Sequence, residues 1–141
     1  MQRATVFVFF QNKNGVCRVG VNNKYTYSNT KHMTFAIIVP FRARGPSDPR
    51  AAQLIAFRAF VEDRFGPGKL WVVTQTPGKK FNRGMLLNVG FLQARAAHPD
   101  LTHVIFHDVD LIPSPDLADF YDRVPDVHRP LHLGKMFWDG K

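Results

Sequence analysis

From residue 34 onward the chain alternates short apolar runs with longer amphipathic stretches. Phe35-Ala36-Ile37-Ile38-Val39 is continuously apolar, the mark of a strand covered on both faces. Pro40 is expected to end that strand, and Phe41-Arg42-Ala43-Arg44-Gly45 to follow as a loop. Ser47-Asp48-Pro49 offers a capping oxygen and then a first-turn proline, a helix start. Leu54, Phe57, Val61 and Phe65 then recur at helical spacing, with Ile55 widening the stripe, until Gly66-Pro67-Gly68 stops the helix. Leu70 to Thr74 reads as a second strand, and Pro77-Gly78-Lys79-Lys80 as a loop. Phe81-Asn82-Arg83-Gly84 leads into a helix through about Ala97. Met85, Val89, Leu92 and Ala96 line one face of it, while Leu86, Leu87 and Phe91 make it apolar almost all round, so deep burial is expected. Gly90 inside it costs about 1 kcal/mol against alanine, which predicts a close packing contact. Val104-Ile105-Phe106 is a third buried strand, ending at Asp108, Asp110 and Pro113. Ser114-Pro115-Asp116 starts a further helix whose apolar face is Leu117, Phe120, Tyr121 and Val124. Beyond Pro125 only Leu131-His132-Leu133 reads as a strand start.

Residues 1–33 read as an N-terminal extension. Val6 to Phe10 is strand-like, Asn12-Lys13-Asn14-Gly15 is turn chemistry, and Val16 to Val21 is expected to return as the second arm of a β-hairpin. Residues 34–141 form the organised region. Strand, helix, strand, helix, strand in that order predicts an α/β fold with a mainly parallel sheet flanked by helices, because right-handed crossovers keep such strands parallel and neighbouring. The loops after the strands then gather at one edge.

At 141 residues and 45% apolar composition the chain is one domain, or part of one, with enough apolar side chains for a real core. The single cysteine, Cys17, excludes an internal disulfide framework and reads as a small buried hydrophobe. The formal charge of +8 points to an anionic partner. A basic nucleic-acid-binding module is the alternative that charge raises, but the basic residues are scattered, with Lys79-Lys80 the one tight pair, so no nucleic-acid partner is expected. The longest early apolar run, Val6 to Phe10, is far short of the roughly 20 residues that span a bilayer, so no membrane segment is expected.

The candidate chemistry lies at the shared strand edge. Asp108 and Asp110, two apart, project to the same side if the strand persists through them. Carboxylate oxygens suit a hard divalent cation such as Mn²⁺ or Mg²⁺, which in turn suits a diphosphate. Arg42 and Arg44 follow the first strand, and Asn82 and Arg83 lie near the end of the second. Arginine forks pair with phosphate oxygens or stack on a base. Asn82 is placed to cap the next helix, and Phe41 or Phe81 to stack on a nucleobase. His107 falls on the opposite face from Asp108, which favours packing over ligation; His128 and His132 read as ordinary polar residues. There is no Cys/His zinc spacing, no Walker loop and no Gly-x-Gly-x-x-Gly.

Three segments carry a resemblance: Phe35 to Arg44, Phe81-Asn82-Arg83-Gly84-Met85-Leu86-Leu87-Asn88-Val89-Gly90-Phe91, and Asp108-Val109-Asp110-Leu111-Ile112-Pro113. In order and spacing they resemble the beta-1,4-galactosyltransferases, glycosyltransferase family 7. The resemblance implies a partial GT-A fold, UDP-galactose as donor, Mn²⁺ as cofactor, and a sugar on a glycan or glycoprotein as acceptor. Transfer of N-acetylgalactosamine is a related option, and the family implies a Golgi lumenal setting. Carried over by position, Pro40, Phe41, Arg42 and Arg44 line the UDP site. Phe81, Asn82, Arg83, Val109 and Asp110 contact the donor, Asp110 is the metal ligand, and Asp108 holds the sugar-nucleotide side and braces Arg83. The family's later Gly-Trp-Gly-Gly-Glu-Asp-type segment, which carries the acceptor site and the base, has no counterpart in these residues. The expectation is therefore a donor-binding half with no catalytic base to name and no activity by itself.

Overall fold

The computed structural model describes residues 7–10, 34–124 and 130–133. The elements in chain order are β1 (Phe7–Phe10), β2 (Thr34–Phe41), α1 (Arg50–Phe65), β3 (Leu70–Thr74), α2 (Arg83–Ala97), β4 (Leu101–Phe106) and α3 (Pro115–Ala118). They build an α/β unit consistent with a partial GT-A arrangement. The sheet order is β1-β4-β2-β3, with β2 parallel to both β3 and β4, and β1 antiparallel to β4. The second arm of the expected hairpin, Cys17, His128 and residues 134–141 lie outside the described residues.

The central strand β2 is apolar because it is covered on both faces. Alternate residues serve opposite layers. Phe35, Ile37, Val39 and Phe41 pack with Phe57 and Val61 of α1, with Tyr121, and with Leu131 and Leu133. Ala36 and Ile38 pack with Leu87 and Ala94 of α2 and with Val104 and Phe106. The helices thus lie on opposite faces, as the connections require. β2 is followed by β3 on one side, whereas β4 returns to its other side, so the crossover direction reverses.

Several expectations change. Pro40 does not end β2, which runs on through Phe41 and pairs Pro40 with Val73 and Phe41 with Thr74. Backbone polar groups alternate in direction along a strand. Ile38 accepts from His107 on the β4 side, whereas Phe41 accepts from Gln75 on the β3 side. Pro40 therefore turns its missing N–H toward β4, where the β2–β4 ladder has stopped at Ile38–Phe106, and no ladder bond is lost. Ile55 does not widen the α1 core stripe; it is 73% exposed. On α2 the face carrying Met85, Val89 and Leu92 is the outer one, and Leu86, Leu87, Gly90 and Ala94 are buried instead. Both stripes have helical period; β2 and β3 select the one that contains Gly90. A Cβ there would lie 2.4 Å from Ile38 Cγ2 and 2.9 Å from Val73 Cγ2, so the glycine lets helix and sheet approach. The third helix start is real but short, a single turn at Pro115–Ala118. Leu131 and Leu133 are core residues around an isolated bridge at His132. Among the described residues no helix is long and apolar enough to cross a membrane.

Candidate functional site

β4 stops at Phe106, so Asp108 and Asp110 do not alternate along an extended strand; residues 109–110 form a turn. The turn is pinned from below. His107 is buried, stacks on Phe57 with ring centroids 4.3 Å apart, and donates from Nδ1 to the Asp108 carbonyl at 2.7 Å. Burial lowers its pKa to about 4, so the ring is neutral with Nδ1 protonated. The packing role expected for His107 is the one observed. Val109 is also buried and belongs to the same core layer.

Above this floor, at the carboxyl ends of β2 and β4 where the connection direction reverses, lies an open cleft of about 780 Å³. That is where doubly wound sheets bind ligands, and the size suits a nucleotide sugar. Pro40, Phe41, Arg42, Arg44, Phe81, Arg83, Asp108, Val109 and Asp110 all line it. Residues spread over 71 positions of sequence (40 to 110) are brought together by three strand ends. Asn82 is the exception among the predicted donor contacts. Its side chain accepts from Met85 N at 3.0 Å and caps α2, the capping role also expected of it.

Each wall has its own support. Arg42 stacks over Phe81, with Cζ 5.5 Å from the ring centroid, and donates to the Lys79 carbonyl. Phe41 is buried in the core, which leaves Phe81, at the surface, as the ring a base can reach. Arg83 Nε donates to Asp108 Oδ1 at 3.1 Å. Its Nη2 is as near to that oxygen but misaligned, and is buried without an acceptor. A buried unmet donor costs roughly 1–3 kcal/mol, which a ligand oxygen would remove. Asp110 stays exposed at the rim.

Four contributors were not legible as such. Asp48 reads as a helix cap, yet its carboxylate does more. It accepts from Arg44 N at 2.6 Å and from Arg50 N at 3.1 Å, and ion-pairs with Arg50 Nη2 at 2.6 Å. The Arg50 guanidinium holds the Asp48 carboxyl well below the usual carboxylate range. The Asp48 side chain is only 6% exposed, whereas that of Arg50 is 25% exposed, so the carboxylate is the sheltered partner. Gln53, next on the inner face of α1, lines the cleft with Oε1 buried and without a donor. Gln75, buried at the end of β3, accepts from Asn82 N at 2.8 Å and donates to Lys80 O at 2.9 Å, which shapes the loop that presents Phe81. An Asp-x-Arg pair after an arginine loop was the available signal for Asp48 and Arg50. Gln53 and Gln75 gave none.

Among the described residues no three His, Cys, Asp or Glu side chains are grouped to hold a metal ion. The oxygen donors present are Asp110, with Asp108 engaged by Arg83. They are of the right chemical type for Mn²⁺ or Mg²⁺ but too few to hold one alone. They fit a cation whose remaining positions are filled by ligand oxygens and water.

The model for the N-terminal region of glycosyl transferase group 7 matches residues 11–122. Beta-1,4-galactosyltransferase 7 of Homo sapiens is 30% identical over 117 residues, covering 74% of this chain and 33% of that protein. Beta-1,4-galactosyltransferase 7 of Drosophila melanogaster is 31% identical over 102 residues, 70% of this chain and 28% of that protein. Beta-1,4-galactosyltransferase 4 of Homo sapiens is 51% identical over 47 residues, 33% of this chain and 13% of that protein. The chain thus spans a third or less of these relatives' length. No solved structure matches it.

Proposed function

Because the chain belongs to glycosyl transferase group 7, we propose that its cleft is the donor site of a galactosyltransferase, binding UDP-galactose with Mn²⁺ for transfer to a sugar on a glycan or glycoprotein. The observation that carries this reading is the meeting of Arg42, Arg44, Arg83, Asp108 and Asp110 around one cleft. In it, Arg83 presents Nη2 to a diphosphate oxygen while Asp108 fixes its orientation. Arg42 and Phe81 form a stacked pair against which a base or ribose rests. Pro40 and Val109 close the floor against water. Asp110 would hold the cation, which supplies positive charge to the diphosphate as it leaves. No cleft carboxylate is assigned as the base that would activate an acceptor: Asp48 and Asp108 are each held by an arginine. Residues 34–141 are accordingly read as a donor-binding region that does not turn over alone.

The test is calorimetry of the 141-residue chain with UDP. Binding is expected in Mn²⁺, is lost in EDTA, and falls at least tenfold in Asp110→Ala. Unchanged affinity in that variant, or binding indifferent to metal, overturns the reading.

A further inference from the structure

Four buried side-chain atoms among the described residues lack hydrogen-bond partners, and two of them belong to cleft residues. One is a donor, Arg83 Nη2; the other is an acceptor, Gln53 Oε1. Folded proteins seldom leave such atoms unmet without a use. A single ligand that answers both must offer an acceptor at Arg83 and a donor at Gln53. Phosphate oxygens satisfy the first and cannot satisfy the second, so the donor must come from the nucleoside or the sugar.

The cleft's other charged side chains each speak in one sense. Arg42, Arg44, Arg50 and Arg83 only donate; Asp48, Asp108 and Asp110 only accept. Gln53 alone among the planar groups carries a donor and an acceptor side by side, the pattern that pairs bidentately with a base edge. Four guanidinium groups against three carboxylates leave the cleft positive, a field that favours the negative end of an amide dipole, the Oε1 that has no donor in the fold, on the cleft side. Gln53 lies one helical turn beyond Arg50, whose ion pair with Asp48 fixes the start of α1 and so fixes where that amide stands.

We propose that Gln53 is a specificity-determining residue that reads the imide edge of uracil, Oε1 accepting from N3–H and Nε2 donating to the neighbouring carbonyl. This rests on the reading of the cleft as a nucleoside diphosphate site. It assigns a chemical task to a side chain outside the three motif segments. Cytosine has no N3–H, so cytidine nucleotides leave Oε1 unmet.

The experiment is calorimetry of the full chain in Mn²⁺ with UDP, CDP and N3-methyl-UDP. Wild type is expected to prefer UDP over both of the others by at least tenfold. Gln53→Leu should lose about that factor for UDP and change by less than twofold for CDP, with a melting temperature no lower than wild type because an unmet acceptor has been removed. A UDP-to-CDP ratio unchanged in Gln53→Leu overturns the inference, and so does an equal loss for both nucleotides, which would place the amide against ribose. N3-methyl-UDP binding as tightly as UDP overturns it without any variant. If no nucleoside diphosphate binds, the donor-site reading falls and takes this inference with it.

Discussion

Arg83 at the start of α2 and Asp108 after β4 face each other across the cleft, Nε to Oδ1 at 3.1 Å, 25 positions apart in sequence. Both side chains are about one-third exposed, so solvent screens the pair and its worth to the fold is at most about 1 kcal/mol. Its worth to the site is orientation. Asp108→Ala is expected to lower the melting temperature by only a few degrees, yet to weaken Mn²⁺-dependent UDP binding roughly tenfold, because a loose guanidinium loses the geometry of its phosphate contact. Paired melts and titrations of that variant check both halves. A large loss of stability with intact binding would reverse the assignment.

Asp48 ties the arginine loop to α1 through Arg44 N and Arg50. Asp48→Ala frees residues 42–49 and leaves Arg50 without its counter-charge. UDP affinity should fall several-fold through a slower association step, since the loop must then find its bound shape. Stopped-flow binding reads that directly; an effect confined to the dissociation rate would argue against the tether.

Gly90→Ala is unfavourable although alanine is the better helix former. The gain of about 1 kcal/mol in propensity is outweighed by a Cβ 2.4 Å from Ile38 Cγ2 and 2.9 Å from Val73 Cγ2, a clash in a packed interface that costs typically 1–3 kcal/mol. Urea unfolding should show a net loss, and that loss should be smaller in an Ile38→Ala background, where Cγ2 is absent. A stabilised Gly90→Ala would mean that α2 stands off the sheet.

Stability should fall in mild acid. His103 and His107 are buried and their pKa values are lowered to about 4, chiefly by desolvation. His103 donates from Nε2 to Tyr121 O at 2.8 Å and is held in its neutral form between β4 and the chain after α3. A lowered folded pKa means that the unfolded chain binds the proton first. The neutral rings' full contribution is present above the unfolded value near 6.5 and is lost as pH falls from there toward 4, a loss on the order of a few kcal/mol for the two together. Asp48, also lowered, adds its loss only in stronger acid. Urea midpoints at pH 7.5, 6 and 5 should descend in order; a flat profile would show the histidines accessible to solvent.

The element order and the edge where the chemistry gathers were legible because they depend on local signals: apolar runs of strand length, Ser/Asn before helices, glycine after one. The registers that decide detail were not. Whether α2 buries the stripe of Met85 or that of Gly90 depends on the sheet surface it meets, and both stripes have helical period. Pro40 looked like a terminator because its neighbour was unknown, and a proline is harmless once the strand beside it has ended. Asp108 and Asp110 still share the cleft although the extended geometry assumed for them is absent, since a turn anchored by His107 serves as well. The wider role of Asp48 was missed because its hold on Arg44 N forms only when the loop folds back toward α1, and Gln53 was missed because its Oε1 has no partner in the fold for a pattern to point to.

The position of β2 sets a timetable. It leaves the ribosome as a run of apolar residues whose partners come later, β3 beginning at Leu70 and β4 at Leu101. Until both arrive its two edges have nothing to bond, and closure must draw together segments far apart in the chain, a slow step exposed to aggregation. Synthesis at low temperature, or with holding chaperones in excess, should therefore raise the soluble yield more than any change at the surface.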